Sequence, residues 1–329
     1  MDVQGGASKR AVLESKVDTL RKELAVTKKE NKLLAKQLVE TANVKSVPRT
    51  KSSRLPKGGH IRAIIGDTHG MHLDRAAWAA CMADLQRLDI RQVVLLGDHI
   101  ECSGFFSMHQ PPSVISEAKY SYAQDLAAAN QWLDELQSVC PRADYHMLQG
   151  NHCHRVEKWI MGHSITVDDD RRLLLEALDP EYRLRLKERG IKFYRRDEFN
   201  DTCSERGHLK LGECLFCHEV SIAKQAASVA IQRYGCSVVF GHSHRADISY
   251  SRKPGSGTIV AANPGCLCTL TPVWQFTKSS INDWSHGYAL QLVSPDETFL
   301  HINVQIVDGK SLLRPLALKD TKRASTKNR

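Results

Sequence analysis

Apolar residues recur along this chain in two rhythms: a heptad at the start, then alternating strand and helix patterns. Leu13, Val17, Leu20, Leu24, Thr27, Asn31, Leu34 and Leu38 follow one another in steps of four and three, the spacing of a coiled-coil seam. With Val17 at an a position, Leu20 and Leu34 fall at d and Asn31 at a. A seam Asn favours a two-stranded parallel coil, because its amide meets its twin. The pattern predicts a helix over residues 1–42 that forms a homodimer through residues 10–41; a single helix lying on the rest of the protein accounts for it as well. Residues 43–59 carry Pro48, Pro56, Gly58, Gly59 and five basic side chains, and read as a basic flexible linker.

From residue 60 the apolar runs shorten. Residues 61–66, 93–97, 145–149, 215–217 and 238–240 read as strands, and 258–262, 288–293 and 299–306 as later ones. Helical spacing covers 75–88, with helical insertions near 113–139 and 155–190. This alternation predicts an α/β fold over 60–309, followed by a polar basic tail at 310–329.

Composition adds a charge asymmetry. The chain has 329 residues, enough for one large domain with extensions, and a net charge of +9. Residues 1–59 hold 14 Lys/Arg against 6 Asp/Glu, and residues 310–329 hold 7 against 1, so the middle is mildly acidic. Basic ends suit a polyanion such as nucleic acid, or are simply solvated tails. The ten cysteines follow no zinc spacing, and no apolar stretch has the length of a signal or membrane span. A cytoplasmic protein with free thiols and no membrane contact is expected.

The candidate chemistry sits just after the expected strands. It comprises Gly66-Asp67-Thr68-His69, Gly97-Asp98-His99-Ile100-Glu101, Gly150-Asn151-His152, His218 and Gly241-His242-Ser243-His244. Singly, each has an ordinary reading: Asp67 as a helix cap, Asn151 as a turn residue, His69 and His218 as half-buried histidines. Together they offer carboxylate and carbonyl oxygens mixed with imidazoles, the donors a pair of divalent metal ions needs. Ligands of open α/β sheets gather at the carboxyl ends of strands, where these residues lie.

In this order the motifs resemble those of the calcineurin-like metallophosphoesterases, phage and bacterial type, over about residues 60–307. The resemblance implies a layered β-sandwich flanked by helices. It also implies two divalent ions and hydrolysis of phosphate esters, with a water between the ions attacking phosphorus in line. Asp98 would bridge the ions. Asp67, His69 and His244 would complete the first position; Asn151, His218 and His242 would complete the second. His152 would serve the leaving group. Arg155 would grip phosphate, or is a surface ion-pair Arg at a helix start; Arg245 is a weaker candidate of the same kind. The hard-leaning donor set favours Mn²⁺, with Fe, Zn, Ni or Mg as alternatives.

The chain also departs from the pattern. Cys153 stands where an acidic residue usually orients the preceding His, and a thiol is a poor acceptor. Either another acid takes over or His152 is less well held; Glu101 is expected to be occupied within its own motif. His154 has no counterpart. Cys102 replaces the second phosphate-binding Arg of the protein-phosphatase form. That points to phosphodiesters, including nucleic acid, as substrate. A phosphomonoesterase acting on nucleotides or proteins remains an alternative, as does a coiled-coil adaptor with a residual metal site. Phe105, Phe106 and His109 line the rim of the site or belong to a packed loop.

Overall fold

The computed structural model describes residues 57–103, 120–163, 167–253, 257–272 and 282–313. The expected coiled coil, most of the linker, the loop with Phe105, Phe106 and His109, and the tail beyond 313 lie outside the described residues.

Two sheets form the core. The first contains β1 (His60–Ile65), β2 (Ile90–Leu95), β3 (Asp144–Leu148), β4 (Ile191–Tyr194), β10 (Gly287–Val293), β11 (Phe299–Val307) and β12 (Lys310–Ser311), in the order β12-β11-β10-β1-β2-β3-β4. The second contains β5 (Leu209–Leu211), β6 (Cys214–Cys217), β7 (Ser237–Phe240), β8 (Ala246–Lys253) and β9 (Gly257–Pro264), in the order β5-β6-β7-β9-β8. β1 to β4 run parallel, as do β6, β7 and β9. Helices α1 (Arg75–Leu85), α2 (Tyr122–Val139), α3 (His154–Gly162), α4 (Asp168–Leu178), α5 (Pro180–Arg183) and α6 (Ala226–Tyr234), with a 3-10 turn at Gly70–His72, complete the described elements.

The two-residue period of the strands sorts their side chains into three apolar layers. Ile64, Val94 and Leu148 meet Leu209, Phe216 and Val239 between the sheets. Ala63, Ile65, Val93, Leu95 and Met147 point the other way, onto Trp78, Leu85, Trp132 and Leu136 of α1 and α2. Val238, Phe240 and Ala261 pack under Ala226, Ala227 and Ala230 of α6. The result is a helix–sheet–sheet–helix sandwich, the layered β-sandwich flanked by helices expected from the motifs. Cys214 and Cys217 belong to different apolar layers of this sandwich, so this pair does not chelate one ion.

Several details differ from the sequence reading. The long helix begins at Tyr122, with the Ser121 hydroxyl accepting from Gln124 N. The helical stretch near 155–190 is three helices, the last started by Pro180 and capped by Asp179. The cap of α1 is Asp74, which accepts from Ala76 N (3.0 Å) and Ala77 N (2.8 Å), so Asp67 is free of that duty. Lys310–Ser311 pairs with β11, past the expected end of the domain.

Candidate metal centre

The ends of five strands converge. β1 delivers Asp67 and His69, β2 Asp98, β3 Asn151 and His152, β6 His218, and β7 His242 and His244. The loops are stitched together before any side chain acts. Thr68 N and His69 N donate to Asp98 O at 3.3 and 3.0 Å, and Gly241 N donates to His218 O at 3.0 Å. Asp98 Oδ1 accepts from His152 N at 2.8 Å, and Asp67 Oδ2 from His242 N at 3.0 Å. Each carboxylate is thereby anchored by a neighbouring loop.

The backbone here is held in a costly conformation. Among the described residues, eight non-glycine residues have positive φ, and four are candidate ligands: His69 (49°), Asp98 (50°), His242 (68°) and His244 (57°). Left-handed geometry in such residues costs on the order of 1–3 kcal/mol each and concentrates where function requires it. Close packing also dictates glycine at two positions. A Cβ on Gly97 (φ 113°) would lie 2.6 Å from His218 Nδ1, and one on Gly150 would lie 2.1 Å from Asp98 Oδ1.

Two groups of donors result, the first buried and the second buried except for the half-buried Asn151 and His242. In the first, His244 Nε2 lies 3.2 Å from Asp67 Oδ1 and 3.1 Å from His69 Nε2. His69 Nδ1 is 2.5 Å from Glu101 Oε2, so Nδ1 carries the proton and Nε2 presents its lone pair inward. Trp284 stands edge-on to His244, ring centres 4.0 Å apart. In the second group, His218 Nδ1 donates to Leu96 O at 3.0 Å, and its Nε2 lies 3.0 Å from Asp98 Oδ2. The Asn151 amide oxygen is 2.9 Å from His218 Nε2 and 2.8 Å from His242 Nδ1.

The electrostatics follow from burial and pairing. Burial pulls His218 and His244 down, but the charges of Asp98 and Asp67 outweigh it and push both up to about 9. Burial raises Asp67 and Asp98, yet their histidine partners leave both below the usual carboxylate range. Burial keeps His99 neutral, down to about 3. It braces the loops through Thr68 Oγ1 (3.1 Å) and accepts from Gly97 N (3.2 Å).

The donor set passes a test of fit to divalent cations. One end of the Asn151 amide lies within 3.3 Å of four ligand-type atoms, His242 Nδ1, His218 Nε2, Asp98 Oδ2 and Glu219 Oε1; with its NH₂ there it donates to them, and with its oxygen there it joins them as a metal donor. Adjacent ligands of an octahedral ion with bonds of about 2.1 Å lie about 3.0 Å apart. These atoms are thus spaced to serve as neighbouring ligands of a cation.

His152 is held by Glu101, not left loose. Its Nδ1 donates to Glu101 O at 2.9 Å, with Glu101 Oε2 at 3.2 Å. The expectation that Glu101 is occupied elsewhere is therefore corrected: one buried carboxylate serves both His69 and His152. Burial lowers His152, but Glu101 carries it above its ordinary value. The Cys153 thiol is pushed up to about 12 by burial and stays uncharged. Arg155 donates to Glu101 O at 3.1 Å and lies 3.1 Å from His152 Nε2, so it belongs to the site. Arg245 is tied to Asp283 and to the Ala223 carbonyl. His154 pairs with Glu157 and Asp197, away from the donors.

Two contributors escape sequence reasoning. Asp125, on α2, accepts from Met71 N (3.0 Å), Glu101 N (3.0 Å), Cys102 N (3.1 Å) and Tyr120 OH (2.7 Å). It ties the loops after β1 and β2 together, and no motif marks it. Glu219 follows His218 and brings Oε1 to 3.8 Å from His242 Nδ1.

No protein-family model matches the chain, and no curated protein matches it either. Solved structures do. Vps29 from Entamoeba histolytica is 12% identical, with 76% of this chain and 95% of that chain covered and a TM-score of 0.37. YfcE, a phosphoesterase from E. coli, is 13% identical, covering 74% and 98%, at a TM-score of 0.30. The nuclease MPE of Pseudomonas putida is 12% identical, covering 73% and 87%, at 0.29.

Proposed function

We propose that this chain is a dinuclear metal-dependent hydrolase of phosphate esters, acting on phosphodiesters. One observation carries the reading: buried carboxylates, an amide and imidazoles from five strand ends bring metal-ligating atoms together on strained backbone. Asp67, His69, His244 and Asp98 would hold one ion, and Asn151, His218, His242 and Asp98 the other. When bound, such ions, Mn²⁺ by preference, polarise phosphoryl oxygens and make water acidic enough to attack at neutral pH.

The remaining roles fall to the chain's own groups. Glu101 keeps the proton of His152 on Nδ1 and aims Nε2 outward. Arg155 now lies against that nitrogen. A phosphate that draws the guanidinium to its own oxygens frees Nε2 to take up a proton, which His152 then delivers to the leaving oxygen. Cys102 is buried and supplies no second cation. Arg245 and Arg196, near the site, are both neutralised by acidic partners. A diester with a single negative charge suits this balance better than a monoester of about −1.5 to −2. The basic segments 1–59 and 310–329 would track a polyanion such as nucleic acid, with the chain paired through residues 10–41. No helix among the described residues is long and apolar enough to cross a membrane.

The test is hydrolysis of bis-p-nitrophenyl phosphate and p-nitrophenyl phosphate by metal-stripped protein resupplied with Mn²⁺, Fe²⁺, Zn²⁺, Ni²⁺ or Mg²⁺. Metal-dependent diester cleavage that Asp98→Asn abolishes is expected. Monoester cleavage alone overturns the substrate class, and turnover unaffected by Asp98→Asn overturns the mechanism.

A further inference from the structure

Glu219 lies next in sequence to His218, at the end of β6. Its two oxygens face different ways. Oε2 is held by Arg196 NH2 at 2.5 Å, and Arg196 is itself fixed by its backbone N–H donating to Gln149 Oε1 at 2.9 Å. Oε1 points inward, 3.3 Å from the Asn151 amide oxygen and 3.8 Å from His242 Nδ1. With its NH₂ on this side the Asn151 amide donates to Oε1; with its oxygen there, the two oxygens stand 3.3 Å apart, close to the ~3.0 Å between adjacent ligands of one octahedral ion. An ion pair with Arg196 alone would not need Oε1 turned toward Asn151.

We propose that Glu219 is a fifth protein donor to the second metal position, beside Asp98, Asn151, His218 and His242. This rests on reading the site as a metal centre and deepens it. The second position then has three oxygen and two nitrogen donors and two negative charges. The first position, with Asp67, Asp98, His69 and His244, has equal numbers of oxygen and nitrogen. The extra carboxylate makes the second position the harder of the two, favouring Mn²⁺ over Zn²⁺ there. It also neutralises more of the second ion's charge, in keeping with a substrate that carries little charge. Arg196 acts as a positioning residue: it engages Oε2 and leaves Oε1 to turn inward.

The experiment is Mn²⁺ titration of metal-stripped full-length protein, read by the free-ion paramagnetic resonance signal, for wild type, Glu219→Gln, Glu219→Asp and Arg196→Ala. Circular dichroism confirms that each variant folds. Wild type is expected to bind two ions. Glu219→Gln is expected to weaken one of them on the order of 10–100-fold and to narrow the Mn²⁺ over Zn²⁺ preference of that position. Glu219→Asp, which keeps the charge, should recover part of the loss. Arg196→Ala should weaken the same ion by less. If Glu219→Gln binds both ions as wild type does, Glu219 is only a surface partner of Arg196 and this inference fails while the metal reading stands. If wild type binds no divalent ion, the metal reading itself fails.

Discussion

Asp125→Asn tests whether the two leading loops are braced as described. Asp125 Oδ1 accepts from Met71 N, and Oδ2 accepts from Glu101 N, Cys102 N and Tyr120 OH. An amide has one oxygen, so an NH₂ group must face either the Met71 N–H or the Glu101 and Cys102 pair. The milder arrangement leaves one buried N–H unpaired and facing a donor. A buried donor without a partner costs about 1–3 kcal/mol. In a domain of this size each kcal/mol lowers Tm by about 2–4 °C, so a fall of roughly 2–12 °C is expected by calorimetry at pH 7.5. Burial pushes Asp125 up to about 6, so it is ionised there. Below that pH the wild-type carboxyl gains a proton of its own, and the gap to the variant should narrow. Cys102 has a left-handed backbone with φ 45°, and Asp125 holds its N–H; a loosened loop lets Glu101 drift, so turnover should fall as well. A Tm within about 0.5 °C of wild type, with turnover intact, would refute the brace.

Other perturbations reach different parts of the account. Glu101→Gln removes the charge that raises His152; turnover should drop on the order of 10–100-fold, and the limb of the pH–rate profile set by His152 should move to lower pH. Gly150→Ala places a Cβ 2.1 Å from Asp98 Oδ1, which the anchored loop cannot relieve; calorimetry should show a large loss of stability and titration a loss of metal binding. His218 and His244, pushed up to about 9, are protonated at pH 7 without metal, and only neutral imidazole binds an ion. Metal loading at pH 7 should therefore release up to about two protons per chain, seen with an indicator dye in weak buffer, and affinity should fall as pH falls. The same raised values mean that these pairs stabilise the metal-free fold fully below about pH 6.5. That contribution is lost as pH rises through about 9, so metal-free Tm should decline over that window.

The sequence makes some layers of this structure far more legible than others. The central strands announce themselves because they are buried on both faces, as in Ala63–Ile64–Ile65 and Val93–Val94–Leu95. The edge strands do not. β8 reads Ala-Asp-Ile-Ser-Tyr-Ser-Arg-Lys, with Ile248 and Tyr250 exposed, and β4 spans only four residues. The candidate donors are legible because each follows a strand directly. Asp125 is not, since its role comes from the placement of α2 against two distant loops. The double role of Glu101 is not legible, because a carboxylate can serve two histidines at once and only the approach of His69 and His152 to one another, ring centres 4.6 Å apart, reveals it. Glu219 carries no signal in one dimension; its meaning lies in the direction of Oε1.

The central claim is that two ions share Asp98. Crystals soaked in Mn²⁺, with diffraction collected at the manganese edge, test it directly. The account predicts two anomalous peaks about 3.5–4 Å apart, one among Asp67, His69 and His244, the other among Asn151, His218 and His242, with Asp98 between them. A single peak, or two peaks that do not share Asp98, would contradict it.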